Sequence, residues 1–293
     1  MNLSSLLFSW LMALLLTSQV QAQDPVFQDI IYANPDGLDL DLDIYLPETD
    51  SAAPLVIYLH GGIWRLGDKS GERNYGYIRP FLENGYAVAS LNFRASTDAP
   101  FPAMVHDIKA AIRYLRANAA DLRFNASGIA VIGSSSGAHL AQVVGTSNGH
   151  PQLEGSLGNH LDTSSDVQAI ISYFGASDLT TILEQSTPFG LIIREPALEL
   201  LLGTQPDDND YLAQLASPVV HVDENDPPLL LFHGDMDPQM PVNQSLQMFG
   251  AYKAADLHVI FEPVHGAMHG GPEFFEEQHL STAIDFLGHT IGR

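Results

Sequence analysis

The 293-residue chain has no cysteine, and only 12 Lys+Arg stand against 35 Asp+Glu, a formal net charge of −23 at pH 7. Without thiols there is no disulfide, no thiolate metal site and no cysteine nucleophile. So few cations cannot line a phosphate track, which excludes nucleic acid as a partner, and the acidity works equally against an anionic membrane surface. Charge is scarce altogether at 16%, whereas the 45% hydrophobic content is at the globular norm, so disordered and fibrous classes are out. No internal repeat and no stretch of linker composition divides the chain. The cations present are unevenly spread: nine of the 12 lie between Arg65 and Arg123, and from Phe124 onward only Arg194, Lys253 and Arg293 face 21 acidic residues. That pattern reads as a strongly solvated acidic surface.

Residues 1–22 carry no charged side chain, and Leu6 to Leu16 is almost wholly apolar. The run is too short to span a bilayer comfortably and is apolar all round, unlike a surface helix. Small residues at Val20 and Ala22 suit cleavage after Ala22, although no Lys or Arg precedes the apolar run. The expectation is an export signal over 1–22 and a single domain over 23–293, periplasmic or extracellular in a bacterium, with no stable membrane insertion after cleavage.

Beyond it, Leu38–Leu46 alternates strictly and predicts a half-buried strand with Asp39, Asp41 and Asp43 on its solvated face. Short apolar runs follow at Pro54–Leu59, Tyr86–Phe93, Ile129–Ile132, Val167–Phe174, Leu229–Phe232 and Leu257–Phe261, each bounded by turn residues, as in strands buried on both faces of a parallel sheet. Between them, Phe101–Ala120 places Met104, Ile108, Ile112 and Leu115 on one helical face, and Ala138–Val144, Val242–Ala255 and Phe274–Leu287 also fit helices. Strands alternating with helices predict a mostly parallel, doubly wound α/β sheet flanked by helices. Two stretches break the rhythm, 145–165 and 179–216, the second with a short helix at Pro196–Leu202, and both are expected to be small cap insertions.

Chemistry concentrates at the ends of the apolar runs. Gly133-Ser134-Ser135-Ser136-Gly137 is G-x-S-x-G between a strand and a helix, a sharp turn that lifts the central Ser135 Oγ above the sheet edge as a nucleophile. His60-Gly61-Gly62-Ile63-Trp64 follows the strand Pro54–Leu59. The backbone N–H groups of Gly62 and Ile63, joined by that of Ser136, are candidates to stabilise an oxyanion, and His60 reads as a packing residue. A serine needs a base, and the base needs an orienting carboxylate. After the strand Leu229–Phe232 come Asp235 and Asp237, of which Asp237 lies further past the strand end and precedes Pro238; after Leu257–Phe261 come His265 and His269, of which His269 stands beside two glycines. Asp237 and His269 are the preferred pair, with Asp235 and His265 as alternatives. Read as H-x-x-x-H, the two histidines could be zinc ligands, but no Glu lies between them and the glycines oppose a continuous helix, so no metal is expected.

The motifs HGGIWRLGDKSG (60–71), FPAMVHDIKAAIRYLRANA (101–119), IGSSSGAHLA (132–141), HGDMDPQMP (233–241) and HGAMHGG (265–271) together resemble the α/β-hydrolase esterases of the feruloyl and acetyl (xylan) esterase type, related to hormone-sensitive-lipase-like esterases and kynurenine formamidases. The resemblance runs from about Pro54 to the C-terminus and implies an α/β-hydrolase fold with Ser135 as nucleophile, Asp237 as acid and His269 as base. Ile63 stands where the family has a third glycine, and Ser136 where it has alanine. The implied activity is cofactor-free hydrolysis of a small-molecule or oligosaccharide ester through an acyl-enzyme, with acetyl or aryl esters of carbohydrates as the expected substrates. An exported amidase or peptidase and a non-catalytic binding protein on the same scaffold are the alternatives. Oligomeric state is not legible.

Overall fold

The computed structural model describes residues 24–49, 51–71 and 74–292; the segment 1–22, read above as a leader, lies outside them. Eight strands form one sheet: β1 (Phe27–Ala33), β2 (Leu40–Tyr45), β3 (Ala53–Leu59), β4 (Ala87–Leu91), β5 (Phe124–Ser134), β6 (Ala169–Tyr173), β7 (Leu229–Gly234) and β8 (Val259–Val264). Their order is β1-β2-β4-β3-β5-β6-β7-β8. β2 is antiparallel to β1 and β4, and every later pairing is parallel. The helices are α1 (Tyr75–Glu83), α2 (Ala103–Ala117), α3 (Ser136–Gly145), α4 (Pro151–Glu154), α5 (Ile182–Gln185), α6 (Pro188–Leu202), α7 (Asp210–Leu215), α8 (Pro218–His221), α9 (Val242–Ala254) and α10 (Glu277–Thr290).

Alternation within β3 explains the layering. Leu55, Ile57 and Leu59 join a core with Met104, Ile108 and Ile112 of α2, Leu140 of α3 and Met248 of α9. Val56 and Tyr58 join the opposite core with Ile78 and Phe81 of α1 and Ile284 and Leu287 of α10. Both faces are thus covered, which is why the central strands are apolar at every position rather than at alternate ones. The apolar face expected for Phe101–Ala120 is fully buried at Met104, Ile108, Ile112 and Leu115.

The strand expected at 38–46 forms, but its acidic face is not uniformly solvated. Asp43 is buried, and with Asp29 of β1 and Asp41 it surrounds the buried ammonium of Lys69 at 2.7, 2.5 and 3.5 Å. Burial disfavours that cation, but hydrogen bonds to Asp29 and Asp43 and the charges of Asp43 and Asp41 outweigh it and raise the lysine well above its ordinary pKa. The cluster ties the loop after β3 to the antiparallel edge of the sheet, with Ser90 Oγ donating to Lys69 O at 2.8 Å and Lys69 N to Asn92 Oδ1 at 2.8 Å. Replacing Lys69 by methionine leaves the Asp43 carboxylate buried and unpaired and is expected to destabilise the fold by about 3–5 kcal/mol in urea titration. A loss below about 1 kcal/mol would show that the carboxylates are already solvated.

The two expected insertions behave differently. In 145–165, Glu154 of α4 is captured by Lys109 and Arg113 of α2 at 2.9 and 2.7 Å, so this stretch packs against the sheet's flanking helix, and none of its residues lines the large cleft. In 179–216, the helix expected at Pro196–Leu202 begins eight residues earlier, at Pro188, where Thr187 Oγ1 caps it by accepting from Gly190 N at 3.0 Å. This longer α6 lies over the carboxyl edge of the sheet and supplies Ile193 to the cleft.

Register brings the functional loops together. Leu59 pairs with Gly133, Ser134 with Tyr173, Tyr173 with Phe232, and Phe232 with Glu262. The segments that follow β3, β5, β6, β7 and β8 therefore leave the sheet at one edge, where open parallel sheets carry their ligands.

Candidate active site

At the end of β5 the chain turns straight into α3, and Ser135 is the pivot at φ 53°, ψ −120°. A non-glycine residue in that region is strained, and the strain is tolerated because its surroundings fix it. Ser135 N donates to Tyr173 O at 2.9 Å. A Cβ at Gly133 would lie 2.3 Å from the Gly137 carbonyl, and one at Gly137 2.2 Å from Leu59 O, so both ends of the turn require glycine.

Ser135 Oγ lies 2.9 Å from His269 Nε2, and His269 Nδ1 lies 2.7 Å from Asp237 Oδ2. The carboxylate can only accept, so Nδ1 carries the proton and Nε2 is left to accept from the serine hydroxyl. The Asp237 side chain is fully buried, and its other oxygen accepts from Gln239 N and Met240 N, both at 2.8 Å. Burial alone would raise its pKa, but the contacts with His233 and His269, the charge on His269 and the Met240 N–H hold it far below the usual carboxylate range. His233 Nε2 is 3.0 Å from Met240 O and 3.5 Å from Asp237 Oδ2, so it chiefly fixes the loop. The ring of Phe174, just past β6, packs on His269 at 4.7 Å.

Asp235 and His265 also meet, at 2.9 Å, with Gly266 N donating to Asp235 at 2.7 Å. This second couple is exposed, at 40% and 82% of side-chain surface, and neither member touches Ser135. The two histidines thus face different carboxylates. Among the described residues no group of three His, Cys, Asp or Glu is placed to hold a metal ion.

The backbone N–H groups of Gly62, Ile63 and Ser136 donate to no acceptor among the described residues, and Gly62 and Ile63 line a cleft of about 1000 Å³ together with Ser135 and His269. Ile63 and Trp64 sit at φ 54° and 58°, a region costly for branched or bulky side chains. What holds them is a relay absent from the sequence reading. Trp64 Nε1 donates to His139 Nδ1 at 2.9 Å, and His139 Nε2 donates to Ala216 O at 2.7 Å. Burial lowers the His139 pKa to about 4, so the ring stays neutral and can accept from the indole. His60 is buried and stacks on Phe93 at 4.5 Å.

The floor of the cleft carries Tyr58, whose hydroxyl is 3.1 Å from Ser134 Oγ, and its outer wall carries Tyr77 edge-on to Phe275 at 4.9 Å. Apart from histidine, Asp68 is the only charged side chain among its described lining residues. Burial would raise Asp68, but hydrogen bonds from Ser70 and Asn92 and the charge of Lys69 keep it below its ordinary value. A second, much smaller space of about 10 Å³ also borders Ser135, between Ile63, Trp64, Ser136, Arg194, Ala197 and Met240. Arg194 was visible in the sequence as one of three cations after Phe124, but nothing local tied it to the site.

The sequence profile of the BD-FAE family matches residues 42–252. Among curated relatives, the esterase LipQ of Mycobacterium tuberculosis is 30% identical over 249 residues, which is 82% of this chain and 56% of LipQ. The chain spans about half the length of the curated relatives it matches first. Among solved structures, a truncated carbohydrate esterase from gut microbiota superposes with a TM-score of 0.83 at 33% identity, covering 91% of this chain and 96% of the other. A bifunctional GH43-CE protein of Bacteroides eggerthii gives 0.81 at 36% identity, over 90% of this chain and 35% of that one. The fold is the α/β-hydrolase fold. With the profile spanning most of the sheet, the elbow at Ser135 and the loop of Asp237, the chain is a member of the BD-FAE family of α/β-hydrolase esterases.

Proposed function

We propose that the protein is a serine carboxylic-ester hydrolase that removes acetyl groups from neutral, hydroxyl-rich substrates such as acetylated carbohydrates. The observation that carries the reading is the unbroken hydrogen-bond chain from Ser135 Oγ through His269 to Asp237 at the base of an open cleft. Ser135 attacks the acyl carbonyl while His269 takes its proton; Asp237 holds the imidazole in the accepting tautomer and balances its charge. The N–H groups of Gly62, Ile63 and Ser136 meet the oxyanion, His269 returns the proton to the leaving alcohol, and water then cleaves the acyl-enzyme by the same steps.

The two spaces beside Ser135 support the substrate assignment. The inner one, about 10 Å³, admits a group of about the size of one water, which suits the methyl of acetate and not a longer chain. The outer cleft suits the alcohol: it offers the Tyr77 and Phe275 rings, packed edge to face, as an apolar wall and the ionised Asp68 as an acceptor for hydroxyls, with no cation among its described lining to attract an anionic substrate. Export through the 1–22 leader belongs to the same proposal, and a mature N-terminus at Gln23 is its check.

The test is a series of p-nitrophenyl acetate, butyrate and hexanoate beside acetylated xylan. Acetate is expected to exceed butyrate by about tenfold or more in kcat/KM, since each added methylene must be forced into a filled pocket. Equal rates up to hexanoate would remove the acetyl assignment, and no hydrolysis of any ester would remove the reaction class.

A further inference from the structure

We infer that Arg194 of α6 is both a positioning residue for Asp237 and the residue that sets the acyl-size limit. The inference rests on the ester-hydrolase reading above. Arg194 is 4% exposed, and among the described residues no carboxylate lies within ion-pair distance of it. Its guanidinium donates instead to Ser186 Oγ and to the backbone carbonyl of Gln239, with Met240 Sδ at 3.8 Å. A buried cation paired only with neutral acceptors is expensive, and its retention calls for a reason beyond packing.

The reason lies in what Gln239 and Met240 do on their other side. Their N–H groups are the two donors to Asp237 Oδ1, each at 2.8 Å. Thr187 Oγ1, at the start of the same helix, donates to Pro238 O at 2.6 Å. Three consecutive loop residues, 238–240, are therefore gripped by α6, and the third member of the hydrogen-bond chain is held through them. The distance at stake is the 2.7 Å bond from His269 Nδ1 to Asp237 Oδ2. Misplacement of a supporting group by an ångström is enough to cost about a hundredfold in rate.

Arg194 also lines the small space beside Ser135, together with Ile63 and Ala197. One side chain thus closes the acyl pocket and fixes the acid loop, so a change there alters selectivity and rate together. The charged and titratable groups facing the Asp237–His269 pair are His233 on β7 and, at longer range, Arg194 itself, whose pKa burial lowers to about 10 while Asp237 opposes the fall.

The experiment compares kcat and KM of wild type, Arg194→Met and Arg194→Ala on p-nitrophenyl acetate and butyrate, with thermal melting to verify folding. Arg194→Met keeps the bulk and loses donors and charge. It is expected to lower kcat about 10- to 100-fold with KM for acetate within about twofold of wild type, and to leave the butyrate-to-acetate ratio unchanged. Arg194→Ala is expected to raise that ratio about tenfold as well, because the wall is gone. A folded Arg194→Met with wild-type kcat, or with the whole loss in KM, overturns the positioning role. A folded Arg194→Ala with the wild-type ratio overturns the size limit, and should it not fold, the same comparison is read from Ala197→Leu, expected to lower acetate turnover by filling the pocket. A wild-type protein inert toward both esters overturns the ester-hydrolase reading and the inference with it, whereas an active wild type isolates the inference.

Discussion

Ser135→Ala is expected to lower kcat on p-nitrophenyl acetate by roughly a millionfold, to the level supported by binding and backbone donors alone. The size follows from what the Oγ does. Among the described residues it is the only hydroxyl hydrogen-bonded to His269 Nε2, at 2.9 Å, and without it the acyl group has no covalent acceptor there. A water placed by His269 could still attack, but it would lack the orientation that β5, α3 and the Tyr173 carbonyl impose on the serine. The fold should be untouched, because the methyl of alanine replaces Ser135 Cβ at the same backbone angles and the N–H to Tyr173 O remains. A fluorophosphonate probe should label the wild type stoichiometrically and the variant not at all. Retention of a tenth or more of the activity, or labelling of the variant, would move the nucleophile elsewhere.

The sequence made the central sheet legible because strands covered on both faces are continuous apolar runs, and because turn residues end each run where the loops begin. β1 was missed for a physical reason: its pairing with β2 is irregular between Phe27 and Ile30 and again between Ile31 and Ala33, so Phe27–Ala33 shows no clean alternation. Gly76 and Pro80 masked α1 in the same way, since both are poor helix formers that only tertiary packing on β3 and β4 supports here. The acidic face of β2 looked solvated because the partner of Asp43 is Lys69, 26 residues on and beyond the whole of β3. For the site, residue type and order were enough to nominate Ser135, Asp237 and His269. The buttresses were out of reach: Trp64 on His139 joins positions 75 apart, and Arg194 on Gln239 joins positions 45 apart. Such contacts are set by how α6 lies over the sheet edge, and no local pattern encodes them.

The choice between the two aspartates is where sequence chemistry alone had least purchase, and it yields the second large effect. Asp237→Asn is expected to lower kcat about ten-thousandfold at neutral pH, whereas Asp235→Asn should stay within about threefold of wild type. Both carboxylates accept from a histidine, at 2.7 and 2.9 Å, so distance does not separate them. Burial does. The Asp237 side chain is wholly enclosed, one oxygen committed to Gln239 and Met240 N–H and the other to His269. An asparagine there keeps the two backbone bonds by presenting its carbonyl to them, which turns its NH₂ toward His269 Nδ1. That nitrogen must then accept, the proton moves to Nε2, and Ser135 faces a donor instead of a base. Because Asp237 is held far below the usual carboxylate range, it stays ionised throughout an ordinary assay, and the acidic limb of the wild-type kcat/KM profile should not report the aspartate. Asp235, by contrast, pairs with His265 in open solvent at 40% and 82% exposure, where water replaces the lost interaction. Equal losses in the two variants would remove the distinction between the two couples, and the larger loss at Asp235 would assign the orienting carboxylate to the exposed couple and require His265 to reach Ser135.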